Sequence, residues 1–265
     1  DDSETLEDLK RSYRHLTNSD PYKDMIFAEI DGEVVGYGRV WWVQIEGGPR
    51  VYNQIAFLLP PWRGKGIRRA MLRYNESRLR DIAAGHDGDI PKAFEAWTSD
   101  AESDWKRLLE EAGYEAIRYG FEMVRPSLDE IPHHALPEGL DVRPVRPSQV
   151  QQIWDAAREA FRDHWGFCEE EWRDDQLEGW KEDPTFEPEL WQVAWDGDRV
   201  AGMVLNFINE IENETYDRKR GYTETICVRR PWRRRGLARA LIARSMRMHK
   251  RLGMTEVALG VDALN

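Results

Sequence analysis

Cysteine is almost missing from this chain: Cys168 and Cys227 are the two examples in 265 residues. They lie far apart, outside any Cys-x-x-Cys pair, and only six histidines accompany them. A disulfide framework or a zinc site is therefore not expected, and no metal is assigned. A basic excess is missing as well. Lys and Arg number 38 against 49 Asp and Glu, a formal charge of −11, which argues against general binding to nucleic acid or an anionic membrane. No apolar run reaches the roughly 18 residues of a membrane span, and no charged-then-apolar leader opens the chain. These absences suggest a soluble, cytoplasmic protein, monomer or homodimer. What is present is 12 tryptophans and a 41% hydrophobic share, enough for real cores, with 33% charged residues to solvate the surface.

The sequence repeats itself. Pro61-Trp62-Arg63-Gly64-Lys65-Gly66-Ile67-Arg68-Arg69-Ala70-Met71-Leu72 returns as Pro231-Trp232-Arg233-Arg234-Arg235-Gly236-Leu237-Ala238-Arg239-Ala240-Leu241-Ile242, with six of twelve positions identical. Upstream, Asp20-Pro21, Asp31-Gly32 and Gly36 are echoed in order by Asp183-Pro184, Asp196-Gly197 and Gly202. Ordered anchors of this kind mean two copies of one fold. Each copy predicts a hairpin (Met25–Ile30 and Val34–Val43; Leu190–Trp195 and Val200–Ile208) closed by an Asp-Gly turn. A third strand follows (Val51–Leu58; Tyr222–Val228), then the Pro-Trp-Arg turn, an amphipathic helix ending at Gly253 in the second copy, and a buried strand (Ala93–Thr98; Glu256–Val261). The fold class is α/β (α+β): two mixed, mostly antiparallel sheets flanked by helices. The expected boundaries are residues 1–125, a Pro-rich linker at 126–139, and 140–265, where Leu140–Val145 and Pro147–Phe161 open the second copy. The first copy lacks an opening strand and the second a closing one, so a trimmed portion of a longer chain is expected.

A strand running into Arg233-Arg234-Arg235-Gly236-Leu237-Ala238 and a helix is suited to holding a diphosphate. Helix N-termini present about four unpaired N–H groups, and small residues let phosphate approach. Arg229, Arg230, Arg233, Arg234 and Arg235 add guanidinium groups that match phosphate oxygens. The plainer alternative is a solvated basic turn before an ordinary helix.

The strand–turn–helix context and Val-x-x-Pro-x-Arg-x-x-Gly-x-Ala resemble the GNAT superfamily of N-acetyltransferases, and the tandem arrangement is similar to that of mycothiol synthases. The resemblance implies acetyl-CoA as acyl donor, its pantetheine arm along Ile226, Cys227 and Val228. It implies that the amides of Arg233, Arg234, Arg235, Gly236, Leu237, Ala238 and Arg239 wrap the pyrophosphate. It further implies a splay between the fourth and fifth strands, with a bulge near Val228. In the first copy Arg68 replaces the small residue and Leu109 stands where the family commonly has a tyrosine acid, so that copy is expected to be degenerate. In the second copy the acid is expected beyond Asn265.

Acetylation needs a neutral amine and a polarised carbonyl. Strand alternation places Glu224, Ile226 and Val228 on one face and Cys227 on the other, making Glu224 the candidate base and leaving Cys227 a small core residue. By resemblance the Val228 N–H donates to the thioester oxygen. The acceptor regions implied by the family carry Phe161, Asp163, His164, Trp165 and Phe167, then Asn206, Asn209 and Glu210, aromatics beside carboxylates that suit a cationic amine. His164 is a second possible base. The expected activity is acetyl transfer to a primary amine of a small molecule. A non-catalytic acyl-CoA sensor or scaffold, and a protein N-acetyltransferase, remain open.

Overall fold

A computed structural model of the chain describes residues 5–86 and 88–264. It opens with helix α1 (Leu6–Arg14) and falls into two compact units: one comprises Ser12–Ile117 with Gly166–Arg173, the other Asp1–Arg11, Arg118–Trp165 and Asp174–Asn265.

The first unit is built on β1 (Met25–Ile30), β2 (Glu33–Gln44) and β3 (Arg50–Leu58), followed by α2 (Ile67–Ala84), β4 (Lys92–Ala96) and α3 (Ser103–Glu111). Strand order is β1-β2-β3-β4, antiparallel except for the parallel β3–β4 pair. The hairpin turn at Asp31-Gly32 has positive φ at both residues, the geometry an Asp-Gly pair tolerates best. Met71 and Leu72 of α2, with Trp105 and Leu109 of α3, bury against Val35, Ala56 and Leu58 of the sheet. Residues Gly166–Arg173 also belong here: Cys168 is buried with Val43 and Val51, and Phe167 is buried and stacked on Trp172. Phe167 is thereby committed to packing, although the sequence had offered it to an acceptor pocket.

The second unit contains β5 (Gly120–Arg125), β6 (Asp141–Val142), α4 (Val150–Phe161), α5 (Asp174–Lys181), β7 (Gln192–Asp196), β8 (Arg199–Phe207), α6 (Glu210–Thr215), β9 (Arg220–Val228), α7 (Leu237–Arg251) and β10 (Glu256–Asp262). Its sheet runs β5-β10-β9-β8-β7-β6, antiparallel except for β9–β10. Strand β5, counted in sequence with residues 1–125, pairs along the whole of β10 from Val257↔Arg125 to Asp262↔Gly120. The edge that the sequence appeared to leave bare is therefore covered. The β7–β8 loop is Gly197-Asp198, one residue later than expected, with Gly197 at positive φ. Both hairpins carry a register shift at the same place, Ala28/Glu29 and Ala194/Trp195, a structural trace of the duplication.

Leu237 and Leu241 of α7 pack on Ala194, Ala201 and Val204. The helix ends in a Schellman motif: Gly253 N–H donates to the Lys250 carbonyl and Met254 N–H to that of His249, with Gly253 left-handed. Several tryptophans find their use here, Trp180 lying parallel to Trp191 at 5.2 Å and tilted against Trp154 at 5.8 Å. The Pro-rich segment at 126–139 is strapped along α7, whose Arg247 and Lys250 donate to the carbonyls of Pro132 and Leu128. No helix among the described residues is long and apolar enough to cross a membrane.

Candidate functional site

The site begins with an irregularity in β9. Met203 pairs with Cys227 and Leu205 with Glu224, so two residues, Thr225 and Ile226, face the single Val204. Thr225 takes φ +46°, left-handed and unusual for a β-branched residue. This bulge inserts one residue and reverses the alternation beyond it. Met203 and Leu205 share a face, so their partners Cys227 and Glu224 do too. The expected grouping of Glu224 with Ile226 and Val228 is corrected: those two pack on the α7 side with Leu237 and Leu241.

The parallel β9–β10 pairing reaches only Tyr222/Ala258. Beyond it Glu224 spans the opening gap, its Oε1 accepting from the Gly260 N–H at 2.8 Å. Partial burial pushes the Glu224 carboxyl above its ordinary range, offset in part by that hydrogen bond. Arg229 N–H donates to the Ala201 carbonyl, so the neighbouring Gly202/Val228 pair is the non-hydrogen-bonded kind. Val228 therefore turns its N–H and C=O away from β8, toward the side that β10 has left.

At the end of β9 the chain makes a tight turn, with Arg234 at φ +61° and Gly236 at φ +82° capping α7. The counterparts in the first unit, Gly64 and Gly66, have φ +75° and +83°. The same loop shape is thus kept at Arg234 despite the side chain, and successive N–H groups at such αR–αL turns form an anion-binding concavity. Beside it lies a cavity of about 610 Å³ lined by Ile226, Cys227, Val228, Trp232, Arg233, Arg234, Gly236, Leu237, Ala238 and Arg239, with Ala160, Phe161, Asp163 and His164 opposite. The sequence-derived donor residues are brought together, except Arg235, whose guanidinium reaches the Glu138 carbonyl.

Charge in the loop is distributed differently from the simple arginine count. Arg229 pairs with Glu159, and Arg230 and Arg233 both pair with Asp163. These contacts hold Asp163 well below the usual carboxylate range. Arg234 and Arg239 line the cavity without a side-chain hydrogen bond or ion pair among the described residues. Leu59 and Pro60 stand where Arg229 and Arg230 do, so neither ion pair has a counterpart in the repeat. That departure was the available signal that these arginines do work particular to the second unit.

Of the acceptor candidates, Phe161 and His164 line the cavity, their rings 5.7 Å apart. The His164 Nδ1 lies 3.0 Å from the Trp165 carbonyl. Trp165 is exposed and carries the Arg118 guanidinium over its ring at 4.8 Å. Asn206 is wholly buried and donates to the Leu190 and Val204 carbonyls, so it serves the core. Asn209 caps α6 by accepting from the Glu212 N–H, and Glu210 is exposed in that helix's first turn. None of these last three reaches the cavity lining. Cys227 does, although its thiol is pushed up to about 12 by burial and is a poor nucleophile there.

The first unit differs at the corresponding place. Its β2–β3 register runs without a bulge from Gly36↔Leu58 to Gln44↔Arg50. Arg68, which replaces the small residue of the motif, does not reach out beside the turn. It is 7% exposed and turns inward over Trp105, donating to the Ala56 carbonyl at 2.6 Å and to Glu102 at 2.8 Å. Ala56 is the repeat counterpart of Ile226, so Arg68 takes the backbone acceptor that the second unit leaves beside its cavity.

Comparison with known proteins agrees with this geometry. Residues 2–88 and 151–265 match the Acetyltransferase (GNAT) family. The chain belongs to that family. It is an acetyltransferase, with two GNAT regions in tandem. It is 29% identical to a mycothiol acetyltransferase of Geodermatophilus obscurus over 92% of this chain and 75% of the relative. A second, from Streptomyces bingchenggensis, is also 29% identical, over 98% of this chain and 76% of its own length. Among solved structures, a GCN5-related N-acetyltransferase from Sphaerobacter thermophilus superposes with a TM-score of 0.70 at 25% identity, covering 98% of this chain and 77% of that one. A tandem GNAT protein from the clavulanic acid biosynthesis pathway shares the fold at TM-score 0.61 and 14% identity, over 97% and 79%.

Proposed function

We propose that the second unit alone carries the reaction, moving acetyl from acetyl-CoA to the primary amine of a small polar molecule by direct attack, and that the first unit is structural. The observation that supports this most is the cavity at the bulged, splayed end of β9, which meets the amide-rich turn at Gly236 on one side and Phe161 and His164 on the other. Its lining fits the donor: open space at Gly236, small Ala238, two uncommitted guanidiniums and an apolar strand end.

When bound, acetyl-CoA supplies the acetyl group as an activated thioester. The turn amides with Arg234 and Arg239 bind the diphosphate. The Val228 N–H, pointing into the splay, donates to the carbonyl oxygen as charge builds there. Glu224, its carboxyl raised above the ordinary range by desolvation, takes the ammonium proton directly or through one water. The C–N bond then forms as the C–S bond breaks, and CoA leaves as the thiol with the proton that the acetylated nitrogen gives up. The relatives named mycothiol acetyltransferase support a small, polar amine acceptor.

The test is Ala238→Arg, which copies the first unit's Arg68. Calorimetric titration with acetyl-CoA should show one site per chain in the wild type and at least a hundredfold weaker binding, about 2.7 kcal/mol, in the variant. Unchanged affinity would show that the donor sits elsewhere.

A further inference from the structure

The donor cavity contains an anion of the protein's own. Asp163, just beyond α4, presents both carboxylate oxygens to the arginine loop: Oδ1 accepts from Arg230 Nη2, while Oδ2 accepts from Arg230 Nε at 3.1 Å and Arg233 Nη1 at 2.6 Å. The carboxylate lines the same cavity as Arg234, Gly236 and Arg239, so it stands beside the groups offered to the donor's phosphates.

Arg233 has three separable attachments. Its Nε donates to the Val228 carbonyl at 2.8 Å, and in the first unit Arg63 Nε makes the matching bond to Leu58 at 3.4 Å. That brace belongs to the repeat itself. The other two nitrogens hold the end of α4, Nη1 through Asp163 and Nη2 through the Ala160 carbonyl at 3.3 Å. Arg233 can therefore keep its brace and exchange the carboxylate for a phosphate oxygen. Arg230 is about three-quarters exposed on its own and equally able to change partner. Both sides of the pair keep partial contact with water, so the exchange does not bury an unpaired charge.

Resting on the acetyl-CoA reading above, we propose that Asp163 is an internal counter-anion that competes with the donor's phosphates for Arg230 and Arg233. Donor arrival releases the end of α4 that carries Phe161 and His164, the acceptor-side wall. Departure of the spent donor lets Asp163 re-engage and helps expel it. Asp163 is a positioning residue, acting through the arginines on the order in which the two substrates settle.

Titrations of wild type, Asp163→Asn and Asp163→Glu with CoA and with uncharged S-acetyl-pantetheine separate this from a purely structural role. Removing one negative charge several ångströms from the phosphates should tighten CoA binding about three- to tenfold. The neutral pantetheine probe should bind all three proteins alike, and Asp163→Glu should behave as wild type. CoA binding that is unchanged or weaker in Asp163→Asn, or an equal shift for both probes, overturns the counter-anion. Wild type that binds no CoA overturns the acetyl-CoA reading itself, and the counter-anion with it.

Discussion

At the residue scale, Glu224 is placed by what surrounds it. A carboxylate beside a splayed strand pair, held by one backbone N–H and partly desolvated, releases its proton later than a surface glutamate. As a general base it must be ionised, so kcat/KM should fall as pH drops through a pKa above the usual carboxylate range. Glu224→Gln should lower kcat by about a hundredfold or more while leaving the Kd for acetyl-CoA unchanged. Steady-state rates across pH check this, and a wild-type profile in the variant would remove Glu224 from the mechanism. The candidate could be read from sequence, but its facing could not. Period-two alternation fails wherever a bulge enters, and Thr225 is a residue type that gives no warning of left-handed backbone. Asn206 and Asn209 misled for a related reason: a polar side chain on a strand end or loop reads as free until its carbonyl and amide partners are known.

At the element scale, β9 is squeezed between its neighbours and α7. A Cβ at Gly221 would lie 2.2 Å from the His249 Nδ1, an overlap that neither the strand nor the helix can absorb without shifting. Gly221→Ala should therefore destabilise the protein by about 1–3 kcal/mol, the usual cost of overpacking, seen as a lower urea midpoint. Full stability would mean that α7 rides farther from the sheet. Most elements were legible, because alternating and 3.6-residue patterns are written locally: Met25–Ile30 appears where the sequence places it, and the strand expected at Val51–Leu58 begins one residue earlier, at Arg50. Pairing partners are not local. Nothing in Gly120–Arg125 announces that it lies against β10.

At the scale of the whole molecule, stability should depend on pH through His249. It is fully buried, its Nε2 lies 3.2 Å from the Tyr222 carbonyl, and its Nδ1 has no hydrogen-bond partner among the described residues. Desolvation lowers its pKa to about 4 from 6.5. The unfolded chain therefore binds the extra proton first, and stability present above about pH 6.5 is lost as pH falls toward 4. The contribution is on the order of 3 kcal/mol. Denaturation across that window should show it, and His249→Gln should flatten that part of the curve. An unaltered slope would mean that His249 is charged or hydrated in the fold.

The placement of β5 has a bearing on how such a chain could have evolved. Because β5, which precedes the Pro-rich segment, pairs along β10, the second sheet is not freely portable from that segment onward. A recombination break at the Pro-rich segment would expose the Val257–Asp262 edge to any passing chain, an invitation to aggregate. A break just before Arg118 would be the safer seam.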